Sequence, residues 1–108
     1  MADTNLEIRR HGSGLLVWSK ECATNLNAQE SKLFLEKLEQ IAQGKLDFNQ
    51  TAQISRYLQI ENFPSYFELT YIFHDGKLVH QIKLEVDHSA TQPLIEGLRS
   101  AISHVFKA

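Results

Sequence analysis

The sequence predicts an α+β domain: a mostly antiparallel five-stranded sheet with two helices packed on one face, in the order β-β-α-β-β-β-α. Three observations carry that expectation. Two alternating apolar runs flank Asp75-Gly76, a glycine-rich turn at Gly12-Ser13-Gly14 separates two shorter strand-like runs, and two segments repeat apolar residues at helical spacing.

Taken in order, "LEIRRHGSGLLVWS" reads as the first hairpin, because glycine admits the backbone angles of a tight turn. A two-residue loop sets Ile8 opposite Val17. A three-residue loop instead sets Ile8 opposite Trp18 and Arg10 opposite Leu16, and composition leaves both open. "NAQESKLFLEKLEQIAQGK" is the first helix. Asn27 and Glu30 have the spacing of a capping box, and Gly44 stands where a left-handed C-terminal cap is wanted. Leu33, Phe34, Leu38, Ile41 and Ala42 form its apolar stripe.

In "FNQTAQISRYLQIE", Ile54, Leu58 and Ile60 share strand parity, while Ile54, Tyr57 and Leu58 also share a helical face. The β-branched and aromatic content selects one strand, followed by a turn at Asn62, Pro64 and Ser65. The last two strands are "FELTYIFHDGKLVHQIKLEV". With Asp75 and Gly76 as the loop of a type I′ turn, the facing pairs are Phe73 with Leu78, Tyr71 with His80, Leu69 with Ile82, and Phe67 with Leu84. The same register sets Glu68 opposite Lys83 on the other side of the ribbon. The final helix is "TQPLIEGLRSAISHVFKA", starting near Thr91 because Pro93 fits only a first turn. Gly97 lies in its interior, where it costs about 1 kcal/mol relative to alanine, so close packing against it is expected. This order of elements resembles that of the longin and roadblock folds, which are protein-binding platforms; the likeness is one of topology, with no shared motif, and does not determine function.

The chain has 108 residues, the size of one domain, so residues 1–108 are expected to share one core. Its eleven basic and thirteen acidic residues are spread evenly along both halves, for a net charge of −2. No basic stripe offsets a phosphate backbone, which disfavours nucleic-acid binding. "MADTNLEIRRHGSG" holds no apolar leader core, and no run is long enough to span a membrane, so a cytoplasmic location is expected. The single cysteine, Cys22, fits a reducing compartment.

Catalytic signatures are missing from the sequence. Cys22 stands in "SKECATNLN", which matches no nucleophile motif, and "GSG" separates strands rather than opening a helix as a phosphate loop does. His74, His80, His88 and His104 have no metal-ligand spacing, and neither metal nor cofactor is expected. Two functional readings remain. The first is a non-catalytic interaction module that binds a protein partner, or its own copy as a homodimer, through a sheet face or edge. Candidate contacts are Trp18, Tyr57, Phe63, Tyr66, Ile72 and Val79, because apolar and aromatic side chains on an open face favour partners, and Arg9, a single arginine available to an acidic partner. The second is a small-molecule binder or minor enzyme whose pocket takes its polar groups from Tyr71 and His80.

Overall fold

The computed structural model describes residues 6–106. Residues 1–5, which belong to the expected single domain and to the segment read for a leader, lie outside the described residues. So do 107 and 108, the end of the expected final helix.

The α+β class holds, but the strands form two antiparallel sheets in place of one. Strands β1 (Glu7–His11), β2 (Gly14–Trp18) and β3 (Ala23–Leu26) make the first, in that order. Helix α1 (Ala28–Ala42) then leads to β4 (Thr51–Ser55), β5 (Leu58–Asn62), β6 (Tyr66–Asp75) and β7 (Leu78–Asp87), which make the second. One 3-10 turn, His88–Ala90, precedes α2 (Thr91–Val105). Two readings of the sequence are corrected here. Residues between the first hairpin and the helix form β3, a four-residue strand whose Thr24 and Leu26 point into the core. "TAQISRYLQIE" is a hairpin and not one strand: it reverses at Arg56-Tyr57, where the Ser55 hydroxyl accepts the Tyr57 amide, and β4 is bulged between Gln53 and Ser55. The extra strands also remove the topological likeness to the longin and roadblock folds.

Local chemistry fixes the helix ends. Asn27 and Glu30 form the full capping box, with amide-to-side-chain bonds of 2.8 and 2.9 Å. At the other end Gly44 has φ +67°, and the amides of Gly44 and Lys45 reach the carbonyls of Ile41 and Gln40, the paired bonds of a Schellman cap. Phe34, Leu38 and Ile41 are buried on the inner face of α1, whereas Ala42 is exposed. The two helices pack together and are tied at the surface by an Arg99–Glu39 ion pair. Leu94, Ile95, Leu98 and Ala101 of α2 join residues of both sheets in one contiguous buried cluster. Gly97 is exposed, and a Cβ there would meet nothing within 4 Å, so close packing among the described residues does not account for it.

Both long hairpins turn on a glycine at the first loop position. His11 faces Gly14 and Asp75 faces Leu78, so the loops are Gly12-Ser13 and Gly76-Lys77. Only the glycine of each pair has positive φ, which is the type II′ pattern. Ile8 therefore faces Val17, as a two-residue loop requires. In the second hairpin the expected register is off by two: Tyr71 faces Ile82, His80 faces Phe73, and Leu69 faces Leu84. A two-residue slip leaves every side chain on its expected face while changing its neighbour.

Candidate functional site

The register of the second sheet decides what its last strand offers. Pairing of β5 with β6 ends at Leu58 and Tyr71. Beyond that point β6 and β7 continue as a two-stranded arm, and among the described residues no strand pairs with the other side of β7 along its ten residues. The arm leaves apolar side chains in water, with Leu78 62% exposed on the side facing the core and Val79 57% exposed on the other.

The backbone directions along β7 follow from two bonds. In the II′ turn the Leu78 amide points to Asp75, and on the far side of β6 the Ile72 amide reaches the Tyr57 carbonyl at 3.0 Å. Tyr71 and Phe73 therefore bond toward β7, and the even residues of β7 bond back to β6. The amides and carbonyls of Val79, Gln81, Lys83 and Glu85 point outward from the sheet. Of the other edge strands, β4 is bulged and β1 lies against α2.

On the outer face, a row of like charges runs to that open edge. Glu61 faces Glu68, and Glu68 faces Glu85, so three carboxylates lie directly opposite one another on β5, β6 and β7. Facing like charges at roughly 5 Å are destabilising. Lys83 reaches Glu68 only diagonally, at 3.9 Å, in place of the direct pairing the sequence suggested. The phenol of Tyr66 on the same face has its pKa raised by desolvation and then by Glu85, Glu68 and Glu61.

The residues proposed from sequence divide by location. Ile72 and Tyr57 meet in a groove of about 420 Å³ between the arm and β3, lined also by Ala23, Asn25 and His74. Tyr57 lies edge-on to His74 at 6.1 Å and under Arg56. Phe63 and Tyr66 stack at 4.9 Å across the β5–β6 turn. Arg9 and Trp18 are on the other sheet, where the guanidinium lies 3.9 Å from the indole centroid and also pairs with Glu7. Val79 is on the arm. The structure thus separates these residues into four places on two sheets.

Tyr71 and His80 do not face each other. Tyr71 is fully buried, and its hydroxyl donates to the Val17 carbonyl at 3.2 Å. Burial chiefly, with Cys22 nearby, pushes its phenol well above the ordinary range, the Ser19 hydroxyl acting in the opposite sense. His80 is on the core-facing side, as the alternation implied, but on the arm that overhangs the core, where it is exposed. Cys22 is half-buried, with Sγ 3.4 Å from Ser19 Oγ. Desolvation raises its pKa, so the thiolate needed for nucleophilic attack is disfavoured. Among the described residues no three His, Cys, Asp or Glu side chains gather as a metal site. No helix among them is long and apolar enough to cross a membrane.

Asn62, read from the sequence as a turn residue, is instead the last residue of β5 and a buried polar node. Its Nδ2 donates to the Leu46 carbonyl at 3.1 Å, its Oδ1 lies 2.8 Å from His88 Nε2, and its carbonyl accepts the Asn49 amide. Because Oδ1 can only accept, His88 carries a proton on Nε2. The node ties the segment after α1 to the β5–β6 turn and to the entry of α2. Its partners are 16 and 26 residues away, so no local spacing marks it.

No family model matches the chain, and neither the curated proteins nor the solved structures compared with it give a match.

Proposed function

We propose that this chain is a non-catalytic protein-interaction module that takes a strand of its partner, another protein or a second copy, along the outer edge of β7. The observation that supports this most is the ten-residue edge strand with outward amides, ending in exposed Leu78 and Val79. Strand addition draws affinity from main-chain hydrogen bonds and specificity from alternate side chains, and this edge presents both. Location, oligomeric state and the identity of the partner form part of the proposal: an intracellular protein whose partner supplies an extended segment. The pocket reading has less support, because Tyr71 faces Ile82 and His80 faces Phe73.

Gln81→Pro isolates the edge. The Gln81 amide points away from β6, so its removal spares the hairpin ladder, and proline is tolerated on edge strands. Tagged wild-type chain should retain a partner, or untagged copies of itself, from native lysate, while Gln81→Pro retains neither. Equal retention by a folded Gln81→Pro chain would defeat the reading.

A further inference from the structure

We propose that the occupant of the β7 edge is a second copy of this chain, paired antiparallel β7 to β7 about a two-fold axis at Leu84, so that two four-stranded sheets become one of eight. This rests on the reading of β7 as a docking edge and adds the partner and the register.

Charge and hydrogen-bond parity select that register. Outward amides belong to odd residues, so odd residues must face odd residues across the new interface. Centring on Lys83 sets Lys83 against itself, and centring on Glu85 sets Glu85 against itself. Centring on Ile82 leaves Lys83 facing Gln81 and Glu85 facing Val79. With the axis at Leu84, Lys83 of each copy faces Glu85 of the other, Gln81 faces Asp87, and Ile82 faces Val86. The opposite-charge pair then occurs twice by symmetry.

The same register completes the acidic row. Within one copy, Thr51, Glu61, Glu68 and Glu85 lie directly opposite one another across four strands. The next place in that row lies just beyond the open edge. Lys83 of the second copy occupies it, placing a cation against the last of three facing carboxylates. On the other side of the sheet, the half-buried Leu84 side chains of the two copies meet at the axis, with half-buried Ile82 beside them, while Val86 is already buried within its own copy. These apolar side chains line the seam on the core-facing side.

Sedimentation of the untagged chain across roughly 10 to 500 µM tests this. Wild type should be dimeric at the upper end. Lys83→Glu and Glu85→Lys should each weaken self-association at least about tenfold by setting like charges opposite one another twice. An equimolar mixture of the two variants should dimerise, and so should the double exchange K83E/E85K. Thermal melts establish that each variant is folded, and Glu85→Lys is favoured to fold because it removes the repulsion with Glu68. A wild type that stays monomeric throughout, or single variants that dimerise as wild type does, would overturn the second copy as occupant. Either result leaves intact the partner-retention arm of the Gln81→Pro comparison, which judges the edge itself.

Discussion

Tyr71→Ala is expected to lower the unfolding free energy by about 3–5 kcal/mol, a large share of the 5–15 kcal/mol typical of a domain. The ring is fully buried at the junction of the two sheets, stacked near-parallel on Phe73 with centroids 6.5 Å apart, so truncation opens a cavity where β2 meets β6. Tyr71→Phe keeps the ring and removes only the bond to the Val17 carbonyl, at about 1 kcal/mol near neutral pH. The two residues differ again in alkali. Because the folded-state phenol titrates above its unfolded value, the unfolded chain releases the Tyr71 proton first as pH rises past about 10. Wild-type stability then falls relative to Tyr71→Phe by about 1.4 kcal/mol per pH unit. The advantage of tyrosine is complete below pH 10 and should vanish near pH 11. Urea titrations of both proteins from pH 7 to 11.5 check the size and the crossing; parallel curves would mean that Tyr71 is not buried as described.

Asn62→Ala should cost about 2–3 kcal/mol, since the Leu46 carbonyl and the His88 Nε2 proton both lose their partner at a buried site. The loss is shared among three segments remote in sequence. Asn62→Ala and His88→Ala combined should therefore cost less than the sum of the two, as residues of one network do. Chemical denaturation of the two single variants and the double variant gives the coupling. Strict additivity would mean that the 2.8 Å contact contributes nothing to stability.

The sequence made legible whatever short-range chemistry determines. The capping box at Asn27 and Glu30, the Gly44 cap, the start of α2 and the two glycine turns all depend on residues within a turn of each other. The face of every residue in β6 and β7 was also readable, because strand parity survives a two-residue slip. Register was not, for Asp75-Gly76 suits a I′ loop and Gly76-Lys77 a II′ loop equally well. The expected Glu68–Lys83 pair favoured the first, but the second lets the strands run ten residues each, from Tyr66 opposite Asp87 to the turn. Four-residue β3 and the Arg56-Tyr57 reversal escaped for a different reason. Neither has the glycine, proline or long alternation that marks a strand boundary, and each is stabilised by its neighbours in the sheet.

His80 illustrates what parity leaves out. It lies on the side that faces the core, yet the arm extends past β5, and nothing in the alternation states where a core ends. Five strands in one sheet would have offered a broad outer face for binding. Two smaller sheets leave a long edge instead, so the docking reading moves from a face to the backbone of β7. Of the candidate contacts, only Val79 lies on that strand; Lys83 entered only as the expected cross-strand partner of Glu68, and Glu85 was not singled out.

Residue-resolved amide exchange on the dilute protein tests that placement most directly. The account predicts an alternation along β7, with Ile82, Leu84 and Val86 slow and Val79, Gln81, Lys83 and Glu85 fast, the fast set becoming protected once a strand is bound. Equal protection of both sets in the dilute monomer would contradict it, because the edge would then already be covered.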